Sequence, residues 1–131
     1  PEALPALLRA ERVQEKAAAV GFDFPEAEGA WAKVEEEIRE LKGLAESGAG
    51  PEALEDEVGD VLFALVNYAR FVGVVPENAL RRTVGKFSRR FGHVERRLAE
   101  GGRTPDGASL AEMDRLWDEA KRGERAATEG P

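Results

Sequence analysis

Four acidic side chains carry the chemistry this sequence offers. Glu37 and Glu40 lie three apart in E-I-R-E, and Glu57 and Asp60 lie three apart in E-V-G-D. Residues three apart are neighbours on one face of a helix. Between the pairs runs Glu46-Ser47-Gly48-Ala49-Gly50-Pro51, a cluster of breakers and turn formers. Gly closes a helix and Pro opens one, so the stretch predicts helix, short loop, helix. The midpoint between the pairs falls between Gly48 and Ala49, inside that loop. An antiparallel hairpin therefore sets both pairs at one height above the turn, and four carboxylates converge. Alone, they repel and raise one another's pKa values. A hard divalent cation with oxygen ligands, Mg2+ or Mn2+, relieves that repulsion. The competing reading is a plain solvated acidic face, which explains Glu35 and Glu36 well and the mirrored pairs less well.

The elements that position these residues follow from apolar spacing. Leu4 to Val20 reads as a helix stopped by Gly21, with a weak apolar face. Residues 1–22 are thus expected to be a helical leader, mobile or docked on a partner. From about Pro25 to Ala45, Trp31, Val34, Ile38, Leu41 and Ala45 recur at three-four spacing, the stripe of a packed helix. From about Pro51 to Val72 the chain is apolar nearly all round, which predicts the central, most buried helix. Asp60 interrupts that run, and a buried carboxylate needs partners or a metal. Asn67 falls on its flank, either as a ligand-holding residue or as a satisfied core amide. After Gly73-Val74-Val75-Pro76, a helix to about Glu100 carries Leu80, Val84, Phe87, Phe91, Val94 and Leu98, a core face or dimer seam. Lys86, Arg89 and Arg90 flank its aromatics, and His93 reads as a surface or packing residue. Thr104-Pro105-Asp106-Gly107 is a turn. Ser109-Leu110-Ala111-Glu112 is a capping box opening a last helix with Met113, Leu116, Trp117 and Lys121. Residues 123–131 read as a disordered tail.

Composition removes whole classes of function. The chain has 131 residues, enough for one domain, and no Cys, so thiolate chemistry and disulfides are excluded. The lack of Cys suits a cytoplasmic protein. No apolar run reaches membrane-spanning length, and no signal-peptide pattern is present. The net charge of −7 argues against nucleic acid as a partner. The charge is uneven, however. Asp23 to Asp60 holds thirteen acids and three bases, and Pro76 to Glu100 holds seven Arg or Lys and three acids. Such a pairing suits a metal-bound polyphosphate, or else complementary packing of charged helices. The absence of Cys allows no Cys-His set, and no G-x-x-x-x-G-K-[ST] loop occurs. E-x-x-H pairs of a di-iron bundle are absent too. The chain opens on Pro1 rather than Met, as a processed product or a piece of a longer protein would.

E-E-E-I-R-E (35–40) followed by E-V-G-D (57–60) resembles the EExxE…ExxD signature of the all-α nucleoside triphosphate pyrophosphohydrolases. The flanking text resembles the MazG family, specifically its C-terminal catalytic domain. The matching stretches are 5–10, Gly21-Phe22-Asp23-Phe24-Pro25, 59–67, Lys86-Phe87-Ser88-Arg89-Arg90-Phe91, 109–113, and Leu116-Trp117 with Lys121. They follow one another in order over about residues 4 to 122. The resemblance implies that Glu37, Glu40, Glu57 and Asp60 bind Mg2+, with Mn2+ as a substitute, and that Glu40 or Glu37 activates water. It implies that Lys86, Arg90, Trp117 and Lys121 contact the nucleotide, with Asn67 a further candidate. Trp117 either stacks on the base or packs in the core.

The implied reaction is hydrolysis of a nucleoside triphosphate to the monophosphate and pyrophosphate, with broad base specificity. The expected fold is all-α: an antiparallel helical hairpin core with flanking helices over residues 23–122, four-helix-bundle-like and homodimeric. Many members of the family carry two such domains, and this chain has one. Two alternatives remain at this point. One is a narrow-substrate relative acting on dUTP or phosphoribosyl-ATP. The other is a non-catalytic acidic helical interaction module.

Overall fold

The loop between the two acidic helices folds by its glycine. Gly48 sits at φ +76°, a region that favours a residue without Cβ. Its N–H donates to Ala45 O, and the Ala49 N–H reaches back to Leu44 O at 3.0 Å. This paired reach-back satisfies carbonyls that a helix end leaves without partners. Pro51 then takes the first position of the next helix, where its missing N–H costs nothing. The same cap recurs at Gly21, φ +91°, where the Phe22 N–H donates to Ala17 O at 2.9 Å.

The computed structural model describes residues 4–128. Five α-helices make up the described chain: α1 Ala6–Ala19, α2 Ala27–Glu46, α3 Pro51–Phe71, α4 Pro76–Glu100 and α5 Leu110–Thr128. A short 3-10 turn spans Pro105–Gly107, and no strand occurs among the described residues. The all-α expectation therefore holds. No single described helix is long and apolar enough to cross a membrane. The chain divides into two compact units, with the boundary inside α4 between Leu80 and Arg81.

In the first unit, α2 and α3 form the antiparallel hairpin. Glu37 meets Glu57 toward the turn, while Trp31 meets Tyr68 farther out, with ring centroids 5.1 Å apart. Ala30, Val34, Ala64 and Val66 are buried in its core. Three sequence expectations change here. First, α3 is not deeply buried in this chain: Val58, Leu62, Phe63 and Leu65 are each more than 40% exposed. An all-round apolar helix in a unit of only three helices has more faces than neighbours. Second, Asp60 is exposed rather than buried, since its side of α3 opens to solvent. Third, the described part of the expected leader, residues 4–22, is not separate from the hairpin, and residues 1–3 lie outside the described residues. α1 packs on α3 within the same unit, and the buried Gln14 donates from Nε2 to Phe63 O at 3.0 Å. The weak apolar face of α1 misled, because this contact is made by a polar side chain.

In the second unit, Val94, Leu98 and Ala120 are buried, while Val84 and Phe87 of the α4 stripe stay open. The Phe87 and Trp117 rings pack at 5.2 Å. Ser109 Oγ accepts the Glu112 N–H at 3.1 Å, one half of the expected capping box. The Glu112 carboxylate does not return to Ser109; it takes two bonds from Arg103 at 2.6 Å. Nor does a tail begin at Gly123, because α5 continues to Thr128 with Arg90 bonded to Glu124. Gly123 costs helix stability, and that ion pair offsets it. Residues 129–131 of the expected tail lie outside the described residues.

Candidate metal centre

The hairpin register brings Glu37 and Glu40 of α2 against Glu57 of α3. One carboxylate oxygen from each lies within 4.8 Å of the other two. Glu37 and Glu57 are buried, and Glu40 is exposed. Asp60 stands one turn beyond Glu57 and is outside this group of three, though its charge still bears on Glu57. Three of the four expected ligands are thus gathered, and the fourth is their neighbour.

The electrostatics are those of a site built short of positive charge. Glu37 Oε2 and Glu57 Oε1 are buried and find no donor among the surrounding side chains. Such oxygens carry a desolvation cost unless something else neutralises them. Bonding to Glu37, then burial and the charges of Glu37, Glu40 and Asp60, push the Glu57 carboxyl up to about 7. The same bond, with help from Lys33, holds Glu37 below the usual carboxylate range. The Glu37 charge raises Glu40. The donor set is all oxygen and anionic, open on the Glu40 side, and fits a hard divalent cation.

Lys33 is a residue the sequence reading missed. Its Nζ lies 3.1 Å from Glu37 Oε1 and 2.9 Å from Glu36 Oε2. The signal was available, since Lys33 precedes Glu37 by four residues on one helix. Asn67 belongs to another network: its Oδ1 accepts from Arg70 Nη2, which also donates to Asp23 Oδ1 at 2.9 Å. Asn67, Lys33, Glu37 and Asp60 line one wall of a cavity of about 590 Å³ in this unit.

The remaining candidates lie in the second unit. Arg90 Nε and Nη2 donate to Glu124 at 2.9–3.2 Å, and its guanidinium sits 5.7 Å from the Trp117 ring. Lys121 shares a shallow 300 Å³ recess with Arg90, Glu124, Arg125 and Thr128. Lys86 is exposed, and its charge helps hold Glu124 below the usual carboxylate range, behind the larger contribution of Arg90.

Residues 26–95 match the family model of the MazG nucleotide pyrophosphohydrolase domain, which spans more than half of the chain and includes all three clustered carboxylates. The chain belongs to the MazG nucleotide pyrophosphohydrolase domain family. It is similar to a Thermotoga maritima protein named nucleoside triphosphate pyrophosphohydrolase/pyrophosphatase MazG, with 41% identity over 121 residues. That match covers 92% of this chain and 46% of the relative. An Escherichia coli protein named nucleoside triphosphate pyrophosphohydrolase is 43% identical over 125 residues, 95% of this chain and 48% of the relative. Bacillus subtilis YabN, named as uncharacterised, is 51% identical over 72 residues, 55% of this chain and 15% of the relative. The chain spans about half the length of the first two relatives. The MazG match falls on the hairpin, so the family and the acid cluster point to the same residues.

Proposed function

We propose that the chain hydrolyses nucleoside triphosphates to nucleoside monophosphates and pyrophosphate, with Mg2+ held by Glu37, Glu40 and Glu57 and completed by Asp60. The carrying observation is the pair of buried carboxylate oxygens, on Glu37 and Glu57, that no donor satisfies. The names of the Thermotoga maritima and Escherichia coli relatives support the same reaction. When bound, the ion would neutralise phosphate charge and make a water more acidic.

The chain's own groups divide the remaining work. Glu57 must give up its proton to serve as a ligand. The interaction with Glu57, and then the Lys33 ammonium, hold Glu37 below the usual carboxylate range, which makes Glu37 a poor base. Glu40 is exposed and raised by its neighbour's charge, so it is the carboxylate suited to take a proton from an attacking water. Lys86, Arg90 and Lys121 supply positive charge suited to the β- and γ-phosphates. Trp117 packs on Phe87 and lies 5.7 Å from the Arg90 guanidinium. A homodimer would cover the half-open apolar residues of α3.

The experiment is pyrophosphate release from a panel of ribo- and deoxyribonucleoside triphosphates, with Mg2+, with Mn2+ and with chelator. Ion-dependent release from several bases is the expected result. Release from dUTP or phosphoribosyl-ATP alone would narrow the substrate, and no release from any of them would overturn the proposal.

A further inference from the structure

The stretch after Gly123, which the sequence reads as a tail, continues α5 to Thr128. The added helix builds a face. Lys121, Glu124, Arg125 and Thr128 follow one another at steps of three, one and three, which sets them on one side of a helix. With Arg90 of α4 they line the 300 Å³ recess of the second unit. That volume is at the lower end for small-molecule sites, and such sites are mostly apolar. Here all five lining residues are polar. A nucleobase finds no apolar wall among them, whereas a compact anion finds three bases. Glu124 shows what those bases recognise. Its carboxylate takes the Arg90 Nε and Nη2 donors at 2.9–3.2 Å, the fork by which a guanidinium holds carboxylate and phosphate alike. Those bonds first, with the charges of Arg89 and Lys86 adding, hold the Glu124 carboxyl below its usual range. Donors are left over. Arg90 Nη1 is not used by Glu124, and the exposed Lys121 and Arg125 have no ion-pair partner among the described residues. Thr128 only bounds the recess, since its hydroxyl is spent on Glu124 O at 3.0 Å.

We propose that this recess binds inorganic pyrophosphate once it is released, with Arg125 as a donor beside Lys121 and Arg90, and Glu124 as the like charge that keeps the product loosely held. The inference rests on the proposed hydrolysis of nucleoside triphosphates and deepens it, giving Arg125 and Glu124 a part in product release. Lys121 and Arg125 stand about 6 Å apart along the helix axis. An anion with two phosphoryl groups meets both of them and Arg90 together, and orthophosphate does not. Three bases against one acid favour the anion. The Glu124 carboxylate repels it from within the same recess, so the site empties for the next turnover. The two residues therefore act in opposite directions: loss of the Arg125 charge weakens pyrophosphate binding, and loss of the Glu124 charge tightens it.

The test has two arms, using the whole chain. In the first, inorganic pyrophosphate is titrated calorimetrically into the metal-free protein at low ionic strength, with orthophosphate as the control. Saturable binding of pyrophosphate, tighter than that of orthophosphate, is expected. Arg125→Gln should weaken it about twofold to fivefold, and Glu124→Gln should tighten it by about the same factor, the range of an exposed charge pair. A merely structural role for these residues would weaken binding in both variants, so the opposite signs decide. No saturable binding, equal affinity for orthophosphate, or a Glu124→Gln variant that binds no tighter overturns the inference. In the second arm, pyrophosphate is added as an inhibitor of triphosphate hydrolysis, and its inhibition constant should move by the same factors in the same directions. If Arg125→Gln raises KM for the triphosphate and leaves that inhibition constant unaltered, Arg125 serves bound substrate and not released product, and the inference falls. Absence of turnover in the parent overturns the hydrolysis reading alone, and the calorimetric arm still decides the recess.

Discussion

The two units use glutamate in opposite ways. In the first, Glu37, Glu40 and Glu57 crowd together, and two of their oxygens are buried without a donor. In the second, Glu112, Glu119 and Glu124 each meet an arginine: Arg103, Arg97 and Arg90. The pKa directions follow. Arginine bonding holds those three acids below the usual range, while Glu57 is pushed up to about 7. The difference teaches that an acid's partner, more than its abundance, separates chemistry from scaffolding. A satisfied carboxylate stabilises its own fold. A carboxylate surrounded by carboxylates is repelled by its neighbours, and its oxygens lie close enough to those of its neighbours to suit a metal ion.

The largest effect should come from breaking the first cluster. Glu37→Gln or Glu57→Gln should lower Mg2+-dependent pyrophosphate release by more than the roughly tenfold to hundredfold that loss of a group supporting a metal ligand costs. Glu57→Gln should at the same time raise the melting temperature of the metal-free protein, because it removes like-charge repulsion while keeping the side chain's shape. Circular dichroism melts with and without Mg2+ check both halves. The parent should gain stability on adding Mg2+, by about 2.7 kcal/mol at a hundredfold excess over Kd. Glu57→Gln should gain much less. A variant that keeps full turnover would place the cluster with the scaffolding and erase the contrast.

Titration should separate the units next. Glu57 has a raised pKa, so the folded metal-free chain holds its proton at a pH where the unfolded chain has released it. That contribution is present in full below about 4.5, the ordinary glutamate value, and is lost as pH rises through about 7. Glu112, Glu119 and Glu124 run the other way: their contributions are present above the ordinary glutamate pKa and vanish as pH falls through their lowered values. Carboxyl 13C NMR should show a Glu57 midpoint near neutrality and these three well below it. Divalent-ion affinity should weaken as pH drops below 7, since protons compete for the same oxygens. A Glu57 midpoint in the ordinary range would remove the electrostatic argument for the cluster.

The sequence was most legible where local rules act alone. Gly48 and Pro51 placed the hairpin turn, and from it the facing of Glu37 on Glu57 followed by counting residues. The all-α class and four helix boundaries were readable in the same way. What failed was whatever depends on neighbours. The apolar run from Val61 to Val66 predicted a buried helix, but burial depends on how many elements surround it, and Leu62 and Phe63 are nearly half exposed. Asp60 was read as buried for the same reason. The leader reading overlooked Gln14, because a glutamine bonding a distant backbone carbonyl leaves no periodic trace. Glu112 fitted a capping box, yet Arg103 outcompeted the backbone N–H for its carboxylate, as a charged bidentate donor does.

The smallest predicted effect tests whether the contrast holds at Arg90. This guanidinium is held by Glu124, which makes it look like scaffolding, yet it is also the residue proposed to meet phosphate. Glu124 takes the Nε and Nη2 donors, so phosphate would meet Arg90 through Nη1 or compete with the carboxylate for the other two nitrogens. In Glu124→Gln the competing charge is gone. If Arg90 serves phosphate, KM for the triphosphate should fall by at least about twofold to fivefold, the range of an exposed ion pair, since this pair is partly buried, with kcat unchanged. The melting temperature should fall slightly through the lost pair. If KM stays put while the melting temperature drops, Arg90 belongs wholly to the second unit's framework. Lys86 and Lys121 would then be left to carry the phosphate charge. Initial-rate kinetics at low ionic strength give the clearest reading, since salt screens Arg90 from either partner.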